Sequence, residues 1–384
     1  MNITTPITAN APLSLLGGMS AEQFLSEYWH KKPLLIRAAI PNFNGLLSPN
    51  EMAGLACEDD VQSRLVIQKG KHWSLEQGPF AEERFASLPE HGWTLLMQSL
   101  NHHLHSADEL MQRFNFLPYS RLDDLMVSYA PDGGGVGPHF DSYDVFLLQG
   151  LGQRLWRISE QTDLSLVVDA PLKILQHFDT SEEWVLNPGD MLYLPPHLAH
   201  WGIAIGECMT YSIGFRAPSQ QEIITSFFAY LQEQDWGDER YQDPDLKFTD
   251  QPAKISADMT QKISQMLQTV QFTPELIQSF LATYLSEPKA HVLIQRPRKI
   301  SLQQFTQRAI KSGVRLGLQS QLLYTDLAFY LNGEILQVSN QANSLLRQLA
   351  NQRSLSAPSL KQGDIDDLLL VLHKMYLDGC LQFN

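Results

Sequence analysis

Between Asp124 and Pro218 the chain is a succession of short apolar runs, each bounded by Gly, Pro, Asn or Asp. "LMVSYAP", "FDSYDVFLLQG", "GQRLWRIS", "EEWVL", "DMLYLPP", "HWGIAIG" and "CMTYSIGFRAP" are rich in β-branched and aromatic residues. Strands so short and so closely spaced predict an antiparallel sandwich or barrel. The flanking regions have a different period. "SAEQFLSEYWHKKPLLIR" opens as a capped amphipathic helix and runs into a short strand. Residues 50–115 read as mostly helical with short strands, "RLVIQ" and "WTLLMQSL" being the clearest apolar pieces. Beyond Pro218, "SQQEIITSFFAYLQEQDW", "SADMTQKISQMLQTV" and "TPELIQSFLATYLSE" carry helical spacing, interrupted by the polar connector "DERYQDPDLKFTDQPAK". The tail reads as a helix from Ser301, strands joined at an Asn332-Gly333 turn, two helices and a last strand, "CLQF". The order predicts an α+β chain: a strand-rich domain over 1–218, a helical segment over 219–275 and a winged-helix-like domain over 276–384.

Within the helical segment, Ile223, Ile224, Phe227, Phe228 and Leu231 fall at spacings of three and four. They make one wide apolar stripe, which must bury against something. The chain's own later helices and the same helix of a second copy both meet that need.

Composition adds three constraints. No run approaches ~18 consecutive apolar residues, so no membrane span is expected. The N-terminus lacks a basic stretch followed by an apolar core, so no signal peptide is read. The 3 cysteines, Cys57, Cys208 and Cys380, are too scattered for a disulfide framework or a thiolate metal site, which points to a reducing cytoplasm. Net charge is −14, unevenly spread. From Arg296 onward 10 Lys and Arg face 6 acids; the preceding residues hold the other 18 bases and 36 acids. An acidic body favours basic partners over nucleic acid.

The greasiest strand poses the chemical question. "GPHFDSYDVFLLQG" opens with His139 and Asp141. Residues two apart on a strand share a face, so both would stand together while Phe140 takes the other side. A third ligand has to come from a neighbouring strand. "NPGDMLYLPPHLAHWGIAI" supplies His197, inside the loop after two prolines, and His200, where a new strand starts. His200 is the better candidate because rigid backbone can hold it, with His197 at the rim. Two histidines and one carboxylate on one octahedral face leave three positions open, the arrangement of non-haem Fe(II) oxygenases. The Gly-rich "PDGGGVGP" lacks the Lys-Ser/Thr of a P-loop and precedes a strand, so it is not a phosphate cradle. "HHLH" at 102–105 reads as surface, and Trp29, Trp73, Trp93, Trp156 and Trp184 read as packing.

"YWHKKPLLIR", "GGGVGPHFDSYDVFLLQG", "PGDMLYLPPHLAHWG" and "YSIGFRAP" resemble the JmjC-type 2-oxoglutarate oxygenases, and most closely the bacterial ribosomal oxygenases that hydroxylate arginine in ribosomal proteins. His197 departs from the family, in which glycine is more usual after the Pro-Pro. The resemblance implies a JmjC/cupin-like double-stranded β-helix as the catalytic domain, a helical dimerisation segment and a winged-helix-like domain. It implies Fe(II) on His139, Asp141 and His200, with 2-oxoglutarate as cosubstrate. Arg154 and Ser128 match the family's partners for the distal carboxylate, leaving Arg157 on the opposite face of its strand. Asp132 and Tyr143 are candidates to contact the substrate guanidinium. The implied reaction hydroxylates an unactivated carbon while 2-oxoglutarate becomes succinate and CO2. The implied partners are a basic large-subunit ribosomal protein and a second copy of the chain.

Two other classes compete. A cupin-fold metalloenzyme without 2-oxoglutarate would not need Arg154 with Ser128. A cupin sensor fused to a DNA-binding winged helix would need a basic recognition helix, which the tail lacks.

Overall fold

The computed structural model describes residues 8–70, 72–338, 342–361 and 365–384. Eleven strands build the N-terminal part: β1 (Leu34–Ile36), β2 (Ser63–Lys69), β3 (His72–Gln77), β4 (Trp93–Met97), β5 (Leu122–Ala130), β6 (Val145–Gln149), β7 (Gln153–Ser159), β8 (Glu182–Leu186), β9 (Met191–Leu194), β10 (Ala199–Ile205) and β11 (Cys208–Phe215). Four short helices punctuate them: α1 (Ala21–Glu27), α2 (Pro49–Leu55), α3 (Glu82–Ala86) and α4 (His105–Gln112).

The strands form two antiparallel sheets. The larger has the order β1-β9-β6-β11-β5-β4-β2-β3, the smaller β10-β7-β8. Strand β6 is buried at every position because the large sheet is covered on both faces. Val145 and Leu147 pack with Leu192, Leu194, Trp156, Ile158 and Leu186 between the sheets. Phe146 and Leu148 face the other way, into a larger cluster with Phe24, Phe114, Tyr193 and Tyr211. This is the expected double-stranded β-helix type of sandwich.

Within residues 50–115, "RLVIQ" and "WTLLM" are strands β2 and β4, but with β3 they extend the large sheet, so the region holds more strand than the mostly helical expectation. Strand β3, "HWSLEQ", is the outermost strand and half-exposed; without a continuous apolar face it gives little strand signal. The "YWHKKP" stretch serves as an anchor. The His30 backbone N–H donates to Tyr193 Oη at 2.9 Å, and Tyr193 Oη donates to the buried Asp144 at 2.6 Å.

The remaining helices and strands are α5 (Gln220–Gln232), α6 (Ala257–Leu267), α7 (Pro274–Ser286), α8 (Leu302–Ser312), β12 (Val314–Leu316), β13 (Leu322–Tyr324), β14 (Phe329–Leu331), β15 (Glu334–Leu336), α9 (Asn343–Gln352), β16 (Ser354–Leu355), α10 (Asp366–Leu377) and β17 (Leu381–Phe383). Helices α5 and α8 each begin with a capping box, on Ser219 and Ser301.

Two compact units emerge. One holds residues 1–217 with 288–321 and 338–384; the other holds 218–287 with 322–337. The first therefore includes α8, α9, α10 and the sheet β16-β12-β17. The second joins α5, α6 and α7 to the meander β13-β14-β15. Asn332 and Gly333 turn that meander with φ of 52° and 88°, both positive as a type I′ hairpin requires. In the second unit Phe227 packs on Phe272 and Phe280. The stripe of α5 thus splits: Phe227 packs within its own unit and Leu231 is buried, while Phe228 is 57% exposed and Ile224 40%.

Candidate metal centre and its cavity

His139, Asp141 and His200 come together, with one ligand atom from each within 4.8 Å of the others. Strand geometry does not unite the first two as expected. Strand β6 starts only at Val145, and residues 138–144 lead into it as a bent loop with a single antiparallel bridge, His139 to His200. The loop is fixed by backbone pairing. His139 N–H donates to His200 O at 3.0 Å, and His200 N–H donates back at 2.8 Å. His197 N–H donates to Asp141 O at 2.7 Å. The glycines before it permit the crossing: a Cβ on Gly135 would stand 2.5 Å from Gly202 O.

Both imidazoles are oriented from behind. His139 Nδ1 lies 2.9 Å from Gly137 O and His200 Nδ1 lies 2.9 Å from Leu198 O. A carbonyl only accepts, so each Nδ1 carries the proton and each Nε2 keeps its lone pair. His200 Nε2 stands 3.7 Å from Asp141 Oδ2. Burial first, and then neighbouring His139, hold the His200 imidazole down to about 4, so it stays neutral as a ligand must. His197 is exposed, with φ of 64°. That left-handed conformation favours glycine over a residue with a Cβ.

The triad opens into a cavity of about 270 Å³. Arg154 and Ser128 both line it and both are buried. Arg154 Nε donates to Cys208 Sγ at 3.5 Å, whereas Nη2 is buried without a partner among the described residues. An orphaned guanidinium nitrogen is costly unless an acceptor comes with a ligand, so the cavity fits a carboxylate-bearing molecule. Arg157 points away, pairing with Glu183 at 3.0 Å.

The two substrate candidates part company. Tyr143 lines the cavity. Asp132 does not: its carboxylate accepts the Gly206 N–H at 2.7 Å, which makes it a turn residue. Asp124, which the sequence reading did not single out, does line the cavity. It is 6% exposed and receives Ser99 N–H, Ser99 Oγ and Gln98 Nε2, all on Oδ2. Among the described residues Oδ1 accepts nothing. Burial pushes the Asp124 carboxyl up, with Lys289 the largest opposing influence. Its neighbour Asp123 is engaged by Lys289 at 2.9 Å and Arg216 at 3.5 Å. Asp124 was legible in principle, since Asp124, Met126 and Ser128 alternate onto one face of β5.

"HHLH" is not simply surface. His102 and His103 are half-buried, and burial first, then His103, pushes His102 down to about 4.

A family model of the JmjC domain matches residues 109–223, and one of the ROXA-like winged helix matches 262–382. The ribosomal protein uL16 3-hydroxylase of Escherichia coli is 36% identical over 338 residues, covering 87% of this chain and 89% of its own. The chain belongs to the bacterial JmjC-type ribosomal oxygenases. The X-ray structure of E. coli YcfD matches this oxygenase with a TM-score of 0.83 and 33% identity, over 94% of this chain and 98% of that one. A structure of YcfD in complex with cobalt and 2-oxoglutarate matches with a TM-score of 0.80 and 34% identity, over the same shares.

Proposed function

We propose that this oxygenase is an Fe(II)- and 2-oxoglutarate-dependent hydroxylase of an arginine side chain in a basic large-subunit ribosomal protein, uL16 being the first to test. The observation that carries the cosubstrate is the buried, unpartnered Arg154 Nη2 in the same cavity as the His139–Asp141–His200 triad. When bound, iron and 2-oxoglutarate supply the oxidation that places a hydroxyl on an unactivated carbon. The protein's own groups do the rest. The triad presents two Nε2 lone pairs and a carboxylate. Arg154 and Ser128 fix the distal carboxylate of the cosubstrate. Asp124 Oδ1 receives the substrate guanidinium, a cation that relieves the cost of a buried carboxylate. The apolar ring of Tyr143 borders the entry.

The acidic body attracts a basic target, and no direct nucleic-acid contact is part of this reading. A cytoplasmic setting, where ribosomal proteins are met, fits it; no helix among the described residues is long and apolar enough to cross a membrane. The exposed Phe228 and Ile224 on α5, with Ile263 and Met266 on α6 and Ile277 on α7, support a homodimer built on the helical unit.

The test is a reconstituted reaction with Fe(II), 2-oxoglutarate and uL16. Succinate should form in step with hydroxylated uL16, and Asp124→Asn should lower kcat/KM for uL16 by roughly tenfold or more, the size of a lost charge-assisted bond. Equal turnover of uL16 by Asp124→Asn would remove Asp124 from substrate recognition.

A further inference from the structure

Trp156 stands out from the other tryptophans. Its ring is 4% exposed and lines the cavity, and its indole N–H is buried without an acceptor among the described residues. An indole nitrogen donates only, so packing alone leaves that group desolvated at a real cost. Arg154 Nη2, two residues earlier on the same buried face of β7, is orphaned in the same way. Two neighbouring donors without acceptors, on one wall of one cavity, imply an acceptor-rich ligand between them.

The ring is held for this position. Trp156 pairs with Gly202 across β7 and β10. A Cβ on Gly202 would stand 2.7 Å from Cη2 and 2.8 Å from Cζ3 of the indole. The six-membered ring therefore lies against bare backbone, a place only glycine leaves open. Along β10, Ala204 is opposite Arg154 and His200 is opposite Ile158. Trp156 thus lies between the anchoring arginine and the metal ligand, with its ring 5.8 Å from the Arg154 guanidinium and 5.9 Å from the His200 ring.

Resting on the cosubstrate reading above, we infer that Trp156 is a ligand-contacting residue whose indole N–H donates to the carboxylate of 2-oxoglutarate that Arg154 holds. The acceptor count favours this end of the molecule. A carboxylate offers about four lone-pair sites, so it can take the Arg154 Nη2 and Trp156 N–H donors together, with Ser128 lining the same cavity. Gly202 is the positioning residue that seats the ring.

The test reads binding, not turnover. Protein labelled with 15N and loaded with Zn(II) in place of iron gives one indole N–H signal per ordered tryptophan, and Trp156→Phe identifies the signal of Trp156. On addition of 2-oxoglutarate that signal should move downfield. Trp156→Phe should weaken 2-oxoglutarate binding about tenfold, the scale of one hydrogen bond to a charged group, with Zn(II) affinity unchanged. Gly202→Ala, which keeps the indole but displaces it, should weaken binding comparably. A Trp156 signal that stays in place while wild-type protein saturates with 2-oxoglutarate would overturn the assignment and leave the oxygenase reading intact. Wild-type protein that takes up the metal but no 2-oxoglutarate would overturn both.

Discussion

At the scale of single residues, the site's chemistry depends on which histidine occupies a rigid backbone. His200 sits in β10, is 2% exposed and is tied at Nδ1. His197 is exposed in a left-handed turn. The strain of that conformation is of order 1 kcal/mol for a residue with a Cβ. His197→Gly should therefore keep metal affinity and melt no lower than wild type, whereas His200→Ala should lose the metal while remaining folded. Isothermal titration with Mn(II) alongside thermal melts decides this, and a loss of metal in His197→Gly would reverse the two roles. That His139, Asp141 and His200 come together was legible because they sit in compact motifs with rigid punctuation; Arg154 was singled out by the family resemblance, and the structure buries it in the same cavity. Asp124 was passed over because its setting depends on a neighbour on another segment: Ser99 donates twice to Oδ2 of this buried, cavity-lining carboxylate. Trp156 was read as packing, and it does belong to the cluster between the sheets; nothing in a sequence reveals that its indole N–H will find no partner.

At the scale of elements, the loop that begins β9 has an electrostatic latch. Asp190 accepts N–H groups of Ala38 at 2.9 Å and Asn187 at 3.0 Å, and pairs with Arg37. Burial alone would raise its pKa; those hydrogen bonds and the Arg37 charge together outweigh burial and hold it below the ordinary value. A carboxylate whose pKa is lower folded than unfolded stabilises the fold fully above its unfolded pKa, about 4, and loses that contribution as pH falls through the folded value. Asp190→Asn should cost about 2 kcal/mol at pH 7, and its deficit against wild type should shrink as the pH is taken below about 4. Urea unfolding at neutral and acid pH measures both, and a deficit independent of pH would mean that the latch is not ionic. The strands from Leu122 to Phe215 were readable because each is apolar and ends in Gly, Pro, Asn or Asp. Strand β3 was not, because an outermost strand exposed along one side shows neither a continuous apolar run nor clean alternation.

At the scale of the whole molecule, the order of pieces was visible but their interleaving was not. Local patterns located α5 to α10 and the Asn332-Gly333 turn. That residues 322–337 join the helical unit is a product of long-range packing, such as Tyr330 Oη donating to Ser279 Oγ at 3.2 Å. The split stripe of α5 sharpens the assembly proposal. Phe227 belongs to its own unit's aromatic cluster, so charge there should unfold the unit. Phe228 faces outward, and Phe228→Asp should turn dimer into monomer with little change in unfolding temperature. Sedimentation equilibrium tests this; a wild type that is monomeric at micromolar concentration would contradict the dimer. The central claim, an iron- and 2-oxoglutarate-dependent arginine hydroxylase of uL16, meets its most direct test in mass spectrometry of uL16 from ribosomes of cells with the wild-type gene or with His139→Ala. The account predicts that the wild-type sample carries the mass of one added oxygen, that fragmentation assigns it to an arginine, and that the variant sample lacks it. An arginine in uL16 that is equally modified in both, or unmodified in both, would contradict it.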